Sequence, residues 1–173
     1  MKLTWFGGTT LRAYFGGEII VVDPAGAPPD VDRRELLAGA DRVIALSEAG
    51  AVLDPSNWRA RPARRPIDEP PILEQMKVGT GSLLLAAGGE PPLVLLGEGG
   101  WPRFGRWADG AVVVLFEPAL GRAADIWQLF GAARLRFMAL AVGQVPEDVL
   151  QAIARDLDGA GLAVLEPGLA LEV

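Results

Sequence analysis

The sequence contains neither cysteine nor histidine. That double absence excludes disulfide frameworks, zinc held by thiolate or imidazole, haem ligated through His or Cys, thiol nucleophiles, and any catalytic triad whose base is an imidazole. Carboxylate, hydroxyl, amine and backbone chemistry remain. Long apolar runs are also missing. The densest, Ala111 to Phe116, has the length of a strand, against the roughly 18 consecutive apolar residues of a membrane span. The opening Met-Lys-Leu-Thr-Trp-Phe-Gly-Gly lacks the apolar core of a signal peptide, so a soluble, cytoplasmic protein with no membrane partner is expected. Positive charge is in short supply, with 16 basic against 22 acidic residues and a net charge of -6. An acidic chain of this kind is a poor general partner for nucleic acid, whose phosphates need clustered Lys and Arg.

What is present is globular composition. The 173 residues are half hydrophobic, enough to bury roughly 70% of the unfolded surface in one domain spanning 1–173. The 22 Gly and 14 Pro imply many turns and short elements. Leu3–Phe6, Thr10–Phe15 and Ile19–Val22, separated by Gly7-Gly8 and Gly16-Gly17, predict a three-stranded meander. Asp30 to Gly39 predicts a short helix capped by Asp30 or Asp32, and Val43–Leu46 a fourth strand. Ser56 to Pro71, rich in Pro and Arg, reads as an irregular loop. Ser82–Ala87 and Leu93–Leu96 flank a Gly-Pro turn as a second hairpin, and Val112–Phe116 gives a buried strand. Asp125–Phe130 predicts a helix and Arg136–Val142 a strand. Pro146–Leu157 predicts a helix with Val149, Leu150, Ile153, Ala154 and Leu157 on one face. Ala163–Leu165 and Leu169–Leu171 around Glu166-Pro167-Gly168 read as a final hairpin. The fold class expected is α/β: a compact αββα-type sandwich of two mainly antiparallel or mixed sheets flanked by helices.

Four landmarks carry a resemblance. They are Thr4-Trp5-Phe6-Gly7-Gly8-Thr9-Thr10-Leu11, Ile20-Val21-Val22-Asp23-Pro24, Gly97-Glu98-Gly99 and Val164-Leu165-Glu166-Pro167-Gly168. In this order the chain resembles the metallo-β-lactamase-fold superfamily, in particular its ascorbate-phosphate-lactonase-like branch of metal-dependent hydrolases. The resemblance implies a metal site at the positions of Gly8, Glu48, Gly50, Val52, Leu53, Glu98 and Ala141, with Asp23 beside them. Every imidazole that site requires is absent here, whatever the register, so the resemblance implies a truncated, degenerate member: a hydrolase-like pseudoenzyme whose metal site is lost.

Three carboxylates, Asp23, Glu48 and Glu98, would converge on such a site and could hold Mg²⁺ or Ca²⁺ through oxygen. The plainer reading makes Asp23 a brace for the loop after its strand and leaves the two glutamates solvated, with no cofactor. Arg59, Arg61, Arg64 and Arg65, preceded by Trp58, present guanidinium forks suited to an anionic metabolite or an acidic protein partner; the alternative is a solvated loop paired with Asp54, Asp68 or Glu69. Trp101 and Trp107, with Phe104, either stack on a ligand or partner or fill space in the interior. The apolar residues of Ala124 to Phe137 suit core packing, or a homodimer surface. The expectation is a non-catalytic protein that binds a small anionic ligand or a protein partner. An altered, carboxylate-only metal-dependent hydrolase and a structural subunit of an active paralogue are the alternatives.

Overall fold

In a computed structural model of the chain, residues 1–47, 50–61, 72–117, 133–157 and 159–173 are described. They form a mixed α/β fold in which two mixed sheets face each other. The first sheet is built from β1 (Lys2–Gly7), β2 (Thr10–Phe15), β3 (Glu18–Val22), β4 (Arg42–Ile44) and β11 (Ala170–Glu172). The second contains β5 (Glu74–Gly79), β6 (Ser82–Ala86), β7 (Leu93–Leu96), β8 (Val112–Phe116), β9 (Phe137–Ala141) and β10 (Gly161–Val164). Their orders are β11-β1-β2-β3-β4 and β10-β9-β8-β7-β6-β5. Each sheet starts as an antiparallel meander and grows by parallel addition: β4 on β3 in the first, then β8, β9 and β10 on β7 in the second.

Period-two alternation sends Leu3, Trp5, Leu11, Ala13, Phe15, Ile20 and Val22 inward from the first sheet. They meet Leu83, Leu85, Leu93, Leu95, Val112, Val114 and Phe116 of the second, forming one core between the sheets. The strands β7 and β8 are apolar on both faces because the second sheet is covered on its other side as well. There Val94, Leu96, Val113, Leu115, Met138 and Leu140 pack with Ile153 and Leu157. Ile153 belongs to α2 (Glu147–Asp156), whose apolar face points inward as the 3.6-residue pattern requires. Among the described residues, the outer side of the first sheet carries α1 (Arg33–Leu37), capped by the Asp32 carboxylate, which accepts the Arg34 and Glu35 amides. The Arg12 guanidinium reaches from β2 to the Glu35, Leu36 and Ala38 carbonyls, satisfying acceptors that the end of this short helix leaves open.

Two expectations need correction. The final hairpin does not exist: β10 lies parallel to β9 in the second sheet, and β11 lies antiparallel to β1 in the first. The Pro167-Gly168 turn therefore carries the chain from one sheet to the other, tied by the Gly168 amide to the Trp5 carbonyl at 2.7 Å. The strand β5 was absent from the expected elements, although Gln75-Met76-Lys77-Val78 alternates polar and apolar residues. Helices flanking both sheets reduce, among the described residues, to α1 and α2; the helix expected at Asp125–Phe130 lies outside the described residues. Among the described residues, no helix is long and apolar enough to cross a membrane.

Candidate functional site

At one end of the sandwich, loops from both sheets enclose a cleft of about 400 Å³ lined by Thr9, Asp23, Leu46, Ser47, Lys77, Thr80, Gly81, Gly97, Glu98 and Gly99. Topology puts them together. Thr9 lies in the β1–β2 turn, Asp23 and Leu46–Ser47 follow β3 and β4, Thr80–Gly81 form the β5–β6 turn, and Gly97–Gly99 follow β7. The Gly97 amide donates to the Gly81 carbonyl at 2.9 Å, fixing two walls of the cleft against each other.

Asp23 is the keystone of the first-sheet side. Its backbone sits at φ 44°, ψ 52°, a left-handed conformation that Asp tolerates better than most residues. Four bonds hold it there: its amide donates to the Ile44 carbonyl at 2.9 Å, its carbonyl accepts the Thr10 hydroxyl at 2.8 Å and the Gly26 amide at 3.0 Å, and its Oδ1 accepts the Leu46 amide at 3.0 Å. The carboxylate thus braces the loop after β4, the plainer of the two roles expected for it, while its position on the cleft wall leaves it within the site. Asp23→Asn keeps both the tolerance of this backbone and an acceptor for Leu46. It is therefore expected to change stability by less than about 1 kcal/mol in urea unfolding while removing one charge from the cleft.

The remaining expected residues divide clearly. Asp23 and Glu98 share the cleft, as two of the three carboxylates proposed for an oxygen-preferring ion, and Lys77 adds a positive charge beside them. Glu48 lies outside the described residues, as do Arg64 and Arg65. Gly8 is exposed in the β1–β2 turn, where its carbonyl accepts the Trp5 indole N–H at 3.0 Å. Gly50, Val52 and Leu53 are exposed, and the Leu53 amide donates to the Lys77 carbonyl at 2.8 Å, so this segment runs beside β5. Ala141 is buried at the end of β9 in the core between the sheets. None of Gly8, Gly50, Val52, Leu53 and Ala141 is among the lining residues of the cleft. Sequence reading missed Lys77, Thr80, Thr9 and Ser47; the alternation around Lys77 was the signal that could have placed the first of these at the end of a strand.

Of the aromatic pair, Trp107 packs inside. It is 2% exposed, lies 5.1 Å from the Phe104 ring centroid, and donates its indole N–H to the Arg103 carbonyl. Trp101 is half-buried, with its indole N–H on the Gly97 carbonyl at 2.9 Å, so it fastens the loop that carries Glu98. Arg59 folds back on its own turn, donating to the Ser56 and Trp58 carbonyls. Arg61 pairs with Glu74 at 3.1 Å. Upstream of both, the Ser56 hydroxyl and then the Ser56 amide donate to the Asp54 carboxylate, holding its pKa below the usual aspartate range. This turn therefore keeps its cap through neutral pH and loses it only as acidification passes through that lowered value.

No family model matches the chain, and no curated protein does. A solved structure described as the isothiocyanate hydrolase from Delia radicum gut bacteria is similar, with a TM-score of 0.53, 13% identity and 99% of each chain covered. At that identity the likeness shows the fold alone. The expected membership in the metallo-β-lactamase superfamily, with its lactonase-like branch and its lost metal site, is therefore withdrawn: no family model supports it, and the similar structure is described in other terms. The four landmarks have a simpler origin. Gly7-Gly8, Asp23-Pro24, Gly97-Glu98-Gly99 and Pro167-Gly168 each stand at a turn or strand end, where the backbone itself demands Gly, Asp or Pro. They are evidence of where this chain turns, and the chain is placed by its fold and by no family.

Proposed function

We propose that this protein acts by binding a small polyhydroxylated anion in the cleft between Asp23 and Glu98. The observation that carries the reading is the composition of that wall: one ammonium, Lys77, faces the same space as two carboxylates and the hydroxyls of Thr9, Ser47 and Thr80. An ammonium suits a carboxylate or phosphate head group, and carboxylates and hydroxyls suit the hydroxyls of the same ligand. A cleft of about 400 Å³ has the size of small-molecule sites. Binding without turnover is favoured because the chain has no thiol or imidazole and because the Asp23 carboxylate is already committed to the Leu46 amide.

Calorimetric titration with gluconate and glucose 6-phosphate, against neutral sorbitol, tests it. Saturable binding of at least one anion is expected, weakened about tenfold or more by Lys77→Ala, the loss of one charge-assisted hydrogen bond. No saturation at millimolar anion, equal binding of sorbitol, or indifference to Lys77→Ala would overturn the assignment. An isothiocyanate incubated with the protein is expected to remain unhydrolysed, and turnover would replace binding with catalysis.

A further inference from the structure

A second cavity lies at the opposite end of β5, β6 and β7. It has a volume of about 460 Å³ and is lined by Trp58, Ala60, Arg61, Ile72, Glu74, Ala86, Ala87, Gly88, Glu90 and Pro92. Glu90 is anchored there by the other sheet: its Oε1 accepts the Gly16 amide, from the β2–β3 turn, at 2.9 Å. Its Oε2 is buried and has no hydrogen-bond partner among the described residues. A buried carboxylate oxygen without a donor is costly, and a nitrogen-bearing cation is the ligand that removes the cost.

The surroundings point the same way. Glu74 and Glu90 face Arg61, whose side chain is 79% exposed and sits on the rim, the same charge balance as in the cleft at the other end; what differs here is the unpartnered Glu90 oxygen and an aromatic wall. Trp58 supplies an aromatic surface, on which cations are held by the ring quadrupole. Ile72, Ala86, Ala87 and Pro92 supply an apolar wall. We propose that this cavity binds a small organic cation, an ammonium or guanidinium on a short apolar stem, with its N–H groups on Glu90 and Glu74 and its charge against Trp58.

The test uses butylammonium and butylguanidinium as probes, with butyrate and butanol as controls, followed by calorimetry on the full chain. A saturable response to at least one cation is expected, and none to butyrate or butanol. Glu90→Gln, which keeps an acceptor for Gly16, is expected to weaken the cation about tenfold or more. Arg61→Ala releases Glu74 from its ion pair and is expected to tighten it, which keeps the proposal testable should the Glu90 variant fail to fold. Lys77→Ala is expected to leave cation binding unchanged, separating this site from the cleft at the other end. Equal binding of butyrate or butanol, no saturation by either cation, or a cation affinity indifferent to both Glu90→Gln and Arg61→Ala would overturn it.

Discussion

Gly81→Ala is expected to cost about 2–5 kcal/mol and to destroy binding in the Asp23–Glu98 cleft, because two independent penalties meet at one atom. The backbone of Gly81 has a φ of +68°, which a residue with a Cβ adopts only under strain. A Cβ there would also lie 2.5 Å from the Glu98 carbonyl oxygen, a backbone atom that has no rotamer through which to retreat. The β5–β6 turn and the segment after β7 would have to part, breaking the Gly97–Gly81 hydrogen bond that joins the two walls. Gly110→Ala is the control. Its φ of +73° is similar but nothing lies within 4 Å of its Cβ, so about 1–2 kcal/mol of backbone strain is all it should lose. Urea unfolding of both variants separates the terms: equal losses would show that the approach of the two walls is looser than described.

The second large effect belongs to the core. Phe116 is fully buried where β8 meets the opposing sheet, among the largest side chains excluded from solvent. Truncation removes an aromatic ring from between two sheets that can close only partly, and Phe116→Ala is expected to lose about 3–5 kcal/mol. Tyr14, 54% exposed on β2, provides the contrast, with an expected change within about 0.5 kcal/mol on truncation. A Phe116 variant that lost less than about 1 kcal/mol would contradict a single shared core between the sheets.

Both predictions concern features that the sequence exposes to different degrees. The core strands were legible because alternation and β-branched runs mark them directly, as in Ile19-Ile20-Val21-Val22 and Val112-Val113-Val114. Partners were not legible. Ala163 and Leu171 look like the two arms of a hairpin, yet they join different sheets, since a turn signal specifies a reversal of the chain and is silent on which strands then pair. Helix boundaries moved for a local reason: of the two expected caps, Asp32 is the one that accepts amides, and α1 begins after it. The cleft was half legible. Asp23 and Glu98 were named through the resemblance now withdrawn, and they share the cleft because both follow apolar strands and lead into turns, the places where polar side chains gather. Lys77 escaped because a lysine on an edge strand of mixed polarity resembles any solvated residue until β6 is laid beside it.

Of the two readings open for Trp107, ligand stacking and interior filling, the structure supports the second. Trp107 lies in a Gly-rich, charged stretch with the composition of an exposed binding loop, and it is one of the buried members of the second core. Its neighbours Phe104 and Ala108 bury the same face of the second sheet that α2 covers farther along. Composition of a loop therefore said little about the direction of its large side chains, which the apolar sheet beneath it decides.

Amide chemical-shift mapping during a gluconate titration tests the cleft assignment most directly. Saturable shifts centred on Thr9, Ser47, Thr80, Gly81 and Gly97–Gly99 are predicted, reduced together in Lys77→Ala while the fold is retained. Shifts centred instead on the Trp58–Glu90 end, or no saturable shift at any residue, would contradict it.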